Sequence, residues 1–343
     1  MTTTATPPAS AGTPSTPPAP RQTAIRRAIG LFVTIAAVAT FGYAGISTYI
    51  AYSLAYEAPK PVVGSPADYG LTYQEVTFPS RVDHIMLRGW FIPGVLPSGK
   101  LTDDRTIVMV HGTRTNRADK AAGLLQLSCQ LAKQGFAILA FDMRGSGESP
   151  PEPLSLGYFE QRDVLGAVDF LRTGTPPYPD LGRPRVLGGW GVSMGGATLL
   201  LAAAHEPALA ALVSDSAYSD IIPILEREVP LRGHVPDALT PGGLLAVREL
   251  YGYDFYSVRP VDVVGTLNRP LLLIHSDTDD YVPFANFLQL TAAAAAGPEA
   301  SQMQQWHLSG PKHAQAFNQL HDVYVQHIVT FYTAALGADK SPA

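Results

Sequence analysis

The sequence predicts an α/β fold, a mostly parallel sheet with helices on both faces. Three observations carry this reading. From about Asp68 onward, short apolar runs alternate with stretches of helical spacing. Several of these runs (TIVMV, FAILAF, PLLLIH) are continuously apolar, as strands buried on both faces are. Two runs at the start, Leu71–Phe78 and Ile85–Ile92, lie close enough in the chain to pair as a hairpin before the alternation begins.

Ahead of that domain stand two different segments. Residues 1–20 are Thr, Pro, Ala, Ser and Gly without charge, too poor in apolar surface to offset the entropy of ordering. Together with Arg21, Arg26 and Arg27 they are read as a disordered tail over 1–27. Residues 28–56 carry no charged side chain and exceed the roughly 20 apolar residues a spanning helix needs. Tyr49, Tyr52 and Tyr56 gather at its far end, as aromatic rings do at a membrane interface. The arginines on the near side place the N-terminus in the cytoplasm and the rest of the chain outside it. A cleaved signal peptide and a buried core helix compete with a membrane anchor. The run is too long for the first, and it lacks the polar face expected of the second.

The strands that follow the expected hairpin are Ile107–Val110, Ala137–Phe141, Val186–Trp190, Leu212–Ser214, Leu271–His275 and Gln305–Leu308. The helices between and after them are Ala118–Lys133, Tyr158–Arg172, Ser193–His205, Pro283–Ala296 and His321–Leu336. The domain is drawn over 68–338. The interval between Ser214 and Leu271 is too long for a simple crossover, and residues 217–262 are read as a small helical cap. A long crossover helix with loops is the alternative.

Composition excludes several functions. Charged residues make up 15% of the 343, net charge is −5, and no basic stripe appears, so nucleic acid is not expected as a partner. Cys129 is the one cysteine, in a helical apolar stretch, and reads as a small buried hydrophobe. The nine His show no metal-ligand spacing, and neither a metal nor a cofactor is expected.

The chemistry-bearing motif is Gly191-Val192-Ser193-Met194-Gly195, between a strand and a helix. The G-x-S-x-G pattern puts a serine on a sharp turn with its Oγ exposed, and the glycines let neighbouring backbone pass. Negative charge developing at Ser193 would also gain from the helix N-terminus. An oxyanion hole needs two N–H donors. Met194, the residue after the serine, is one candidate; Thr113, in the loop after TIVMV, is the other. His111 in that loop reads as a turn residue. A carboxylate to orient a histidine belongs at the end of a later strand, where Asp277, Asp279 and Asp280 compete. The base belongs after the last strand, where His313 follows a Ser-Gly-Pro turn. His307, His321 and His327 read as ordinary surface or core residues.

These segments together resemble the α/β-hydrolase superfamily, most closely its serine-aminopeptidase-like and monoacylglycerol-lipase-like branch, from about Tyr73 to Leu336. The resemblance rests on V-H-G (110–112), F-D-M-R-G-S-G-E-S (141–149), G-W-G-V-S-M-G-G (189–196), L-I-H-S-D-T-D-D-Y-V-P (273–283) and G-P-K-H (310–313). The order Ser, Asp, His is that of this superfamily. Its pattern H-G-x-x-D-x-x-V-P implies Asp279 as the acid, with Ser276 standing where glycine is usual. The motif around Asp142, Arg144, Gly145, Gly147 and Ser149 marks a structural loop. Lys312 departs from the common small residue before the base, and its like charge disfavours imidazolium at His313.

The chemistry implied is acyl transfer to water through Ser193, Asp279 and His313. A serine nucleophile argues against dehalogenase and epoxide-hydrolase chemistry, which uses an aspartate on this fold. Carboxylic esters or thioesters are the first substrate class. An acyl group of lipid-like character is suggested by the anchor and by Ile221, Ile222, Leu225, Leu244 and Leu245 in the cap. A peptide substrate is the alternative, with Glu226 or Glu228 available to a free amino terminus. An anchored protein that keeps the fold without catalysis is the third.

Overall fold

The computed structural model describes residues 1–5, 12, 20–298 and 300–338, and the chain divides into two units, residues 1–46 and 47–343. Helix α1 (Pro20–Ala55) occupies most of the first unit, and its final turns belong to the second. In the first unit its apolar side chains, among them Leu31, Phe32, Ile35, Val38 and Phe41, are exposed. By length and composition α1 is able to cross a membrane. It starts ahead of the apolar run, so residues 20–27, expected in the tail, are helical. Nothing after Pro20 breaks the helix, and proline is tolerated at a first helical position. Most of the remaining tail, residues 6–11 and 13–19, lies outside the described residues.

The second unit runs β1 (Gln74–Pro79), β2 (Met86–Ile92), β3 (Gly94–Val95), β4 (Leu101–Thr102), β5 (Arg105–Val110), α2 (Leu124–Lys133), β6 (Ala137–Asp142), α3 (Glu160–Thr173), β7 (Val186–Val192), α4 (Met194–Ala203), β8 (Leu209–Asp215), α5 (Ile222–Gly233), α6 (Thr240–Tyr251), α7 (Val261–Val264), β9 (Leu271–Ser276), α8 (Ala285–Ala295), β10 (Met303–Leu308) and α9 (Ala316–Leu336). Eight strands form one sheet in the order β1-β2-β6-β5-β7-β8-β9-β10. The β1–β2 and β2–β6 pairs are antiparallel, and the other pairs are parallel. This is the α/β-hydrolase fold.

The alternation of side chains along each strand feeds two cores. Val108 and Val110 of β5 join one with α3 and α4, while Ile107 and Met109 join the other with α2 and α9. Leu271 and Leu273 against Leu272 and Ile274 divide β9 in the same way. Burial on both faces explains why these strands read as unbroken apolar runs. Helix α2 begins at Leu124, later than its apolar spacing suggests. Asn116 and Asp119 accept hydrogen bonds from the amides of Ala118 and Ala121, which holds the chain in turns there. Helix α9 begins at Ala316 and kinks at His321, where φ is 31°.

Register aligns the C-terminal ends of the parallel strands. Val110 pairs with Gly191, Val192 with Asp215, Asp215 with Ile274, and Ser276 with Leu308. The loops after β5, β7, β9 and β10 therefore open on one edge of the sheet, where ligands bind in open α/β folds. Helices α5 and α6 are inserted after β8, with Ile221, Ile222, Leu225 and Leu244 buried in the core and Leu245 exposed.

Candidate active site

Strand β7 runs into α4 with a single residue between them, Ser193. Its φ of 56° and ψ of −124° lie where an L-residue is strained by about 1–3 kcal/mol. The neighbours explain the glycines. A Cβ on Gly195 would stand 2.2 Å from the Val110 carbonyl oxygen, and one on Gly191 would stand 2.4 Å from that of Gly195. The Ser193 amide donates to the Asp215 carbonyl at 2.8 Å, which pins the turn to the neighbouring strand. Met194 opens α4, and first-turn amides of a helix have no partner within it.

His313 lies in the loop between β10 and α9. Its Nε2 is 2.8 Å from Ser193 Oγ and its Nδ1 is 2.8 Å from Asp279 Oδ2. The carboxylate accepts, so Nδ1 carries the proton and Nε2 is free to accept from the serine hydroxyl. Asp279 is fully buried, and its other oxygen accepts from the amides of Tyr281 at 2.9 Å and Val282 at 2.8 Å. The other two carboxylates face elsewhere. Asp277 accepts from Ser309 at 2.7 Å and His307 at 3.1 Å, and Asp280 pairs with Lys312 at 3.0 Å. The charge of Lys312 is thus engaged at the surface. His327 stacks on Trp306, and His321 marks the α9 kink.

Thr113 and Gly112, in the loop after β5, line a cleft of about 290 Å³ with Ser193, His313, Arg232 and Tyr281. His111 is buried; its Nδ1 donates to the Gly112 carbonyl at 2.7 Å and its Nε2 accepts from the Met143 amide at 3.0 Å. It shapes the loop and leaves no nitrogen free. The loop after β6 is held by Asp142, which accepts from the amides of Arg117 and Glu148 and pairs with the Arg117 guanidinium. Arg144 pairs with the buried Asp163 at 2.7 Å. Burial pushes the Cys129 thiol up to about 12, which leaves no thiolate for chemistry at neutral pH.

Three neighbours of the site escaped the reading of the sequence. Thr278 Oγ donates to the Pro311 carbonyl at 2.9 Å and accepts from the Gly310 amide at 3.1 Å, stitching the loop of Asp279 to that of His313. His275 Nε2 donates to the Val282 carbonyl at 2.9 Å and lies 3.4 Å from Asp279 Oδ2; burial lowers its pKa. Asp215 accepts from Tyr324 at 2.7 Å and Ser216 at 2.8 Å, and burial pushes its carboxyl up to about 6. Each is a polar residue at or beyond the end of an apolar strand, which is the one local signal that could have marked it.

Comparison with known proteins agrees with the fold. The profile of the prolyl oligopeptidase family matches residues 125–339. The uncharacterized protein YqkD of Bacillus subtilis is 24% identical over 233 residues, 66% of this chain and 70% of that protein. The Pyrococcus furiosus esterase Pf2001 superposes with a TM-score of 0.64 at 20% identity, over 81% of this chain and all of its own. The acylaminoacyl peptidase of Pyrococcus horikoshii superposes with a TM-score of 0.56 at 19% identity, over 76% of this chain and 41% of its own.

Proposed function

Because the chain belongs to the prolyl oligopeptidase family of α/β-hydrolases, we propose that it is a serine hydrolase that cleaves carboxylic esters or thioesters through Ser193, His313 and Asp279. The observation that carries this reading is the position of His313, at hydrogen-bond distance from a strained serine on one side and a buried carboxylate on the other. Ser193 Oγ bonds to the substrate carbonyl carbon while its proton passes to His313 Nε2. The amides of Met194 and Thr113 hold the oxyanion. Collapse breaks the bond to the leaving alcohol or thiol, which takes the proton from His313. Water then gives up a proton to His313 and attacks the acyl-enzyme, the acid departs, and Ser193 regains its proton. Asp279 accepts from Nδ1 and orients the imidazole throughout.

Peptide cleavage is the second reading, favoured by the family itself. Of the two carboxylates that could meet a free amino terminus, Glu228 is already engaged by Arg227 at 2.8 Å and Arg232 at 2.7 Å, while Glu226 is exposed. The discriminating experiment compares p-nitrophenyl esters of graded acyl length with aminoacyl arylamides. Ester turnover dependent on Ser193 supports the reading; arylamide cleavage with negligible ester turnover overturns it. We further propose that α1 crosses a membrane with the N-terminus cytoplasmic and the catalytic unit outside, on the strength of its apolar length and of Arg21, Arg26 and Arg27 at its N-terminal end. Protease protection in sealed spheroplasts or vesicles tests the orientation.

A further inference from the structure

Beside the cleft lies a second cavity, of about 190 Å³. It is lined by the end of α1, through Tyr49, Ile50, Ser53 and Leu54, and by Leu225 and Val229 of α5. Thr113, Arg114, Arg232 and Tyr281 line both the cavity and the cleft that holds Ser193, so the two adjoin. The helix end is seated firmly in this unit. Ile50, Ala51 and Ala55 are buried, and a Cβ on Gly243 of α6 would stand 2.4 Å from Ile50 Cγ2. The Leu154 amide donates to the Ala55 carbonyl at 2.8 Å.

We propose that this cavity receives the acyl group of the ester, so that the last turns of α1 set acyl-chain specificity as well as ending the apolar helix. The inference rests on the serine-hydrolase reading. A carbonyl carbon at Ser193 has two arms, and the apolar one seeks the leucine-rich part of this cavity, which Arg114, Glu228 and Arg232 also line. The leaving group remains in the cleft, where Lys60 and Asp119, absent from the cavity, supply polar surface. An apolar cavity of about 150 Å³ holds a benzene-sized ligand, so this one suits an unbranched chain of roughly six carbons. Thr113 Oγ, buried without a hydrogen-bond partner, sits where cavity and cleft meet, beside the path of the acyl carbonyl.

The test uses the full-length protein in detergent and a p-nitrophenyl ester series from acetate to dodecanoate. Wild type should favour the hexanoate over the acetate by about tenfold in kcat/KM. Ser53→Trp, filling the α1 wall, should lower that ratio about tenfold, and Leu54→Ala should move the optimum to longer chains. Leu225→Ala, in the α5 part of the lining, should shift it in the same direction as Leu54→Ala. General misfolding cannot produce shifts of opposite sign. If wild type turns over the acetate through Ser193 but neither α1 variant moves the chain-length profile, the proposal fails and the hydrolase reading stands. A profile moved by Leu225→Ala alone also overturns the role of α1. Loss of all ester turnover in wild type removes both.

Discussion

His313 Nδ1 lies 2.8 Å from Asp279 Oδ2, while Asp277, two residues earlier, has its carboxylate on the exposed side of the same loop. The separation follows from the loop. Asp279 turns inward because the amides of Tyr281 and Val282 meet its second oxygen, and Asp277 turns outward onto Ser309 and His307. Asp279→Asn should therefore lower kcat by about 10³–10⁴-fold, since the amide favours the wrong imidazole tautomer. Asp277→Asn should change it by no more than about threefold. Steady-state kinetics on one ester decides between them, and equal losses would reassign the acid.

The strain at Ser193 yields a stability prediction. Glycine adopts the observed φ of 56° without the penalty that Ser and Ala carry. Ser193→Gly should be more stable than Ser193→Ala by about 1 kcal/mol, with both inactive. Urea denaturation of the two variants measures the difference, and equal midpoints would mean the turn is unstrained.

Gly195→Ala should fail for a different reason. The added methyl meets the Val110 carbonyl at 2.2 Å and the His111 carbonyl at 2.4 Å, both backbone atoms fixed by the sheet edge. A loss of about 2–3 kcal/mol is expected, together with displacement of Ser193. Thermal melts should show a drop of several degrees and activity a larger fall than stability alone explains.

Asp215 gives the fold a pH dependence. Its carboxyl titrates near 6 when folded, above the ordinary value of 3.8, so the folded state holds the proton more tightly. Stability from this group is present below about pH 4, falls as pH rises to about 6, and stays lower above; the full difference is about 3 kcal/mol. Asp215→Asn removes this titration. Relative to wild type, the variant should gain stability between about pH 4 and pH 7.5, and a parallel pair of pH profiles would refute the assignment.

What could be read from the sequence follows from where its signals are local. The inner strands β5 to β9 announce themselves because burial on both faces requires largely apolar runs, and Ser193 because its turn requires Gly191 and Gly195 within two residues. The placing of Asp279 over Asp277 needed a family pattern, since both carboxylates suit a turn and their distinguishing partners, His313 and Ser309, are distant in sequence. Asp215 and Thr278 act through partners distant in sequence, Tyr324 and Pro311, and their one local mark, like that of His275, is a polar residue at or beyond the end of an apolar strand. The seat of the α1 end against α6 is likewise a long-range packing event, invisible in a run that reads as uniformly apolar.

The central claim is that Ser193 is a nucleophile activated by His313. Labelling of the purified full-length protein with a fluorophosphonate probe, followed by mass spectrometry of the adduct, tests it most directly. The account predicts a single adduct on Ser193, absent in Ser193→Ala and slowed by at least about 10³-fold in His313→Ala. Equal labelling of wild type and Ser193→Ala, or an adduct at another residue, would contradict it.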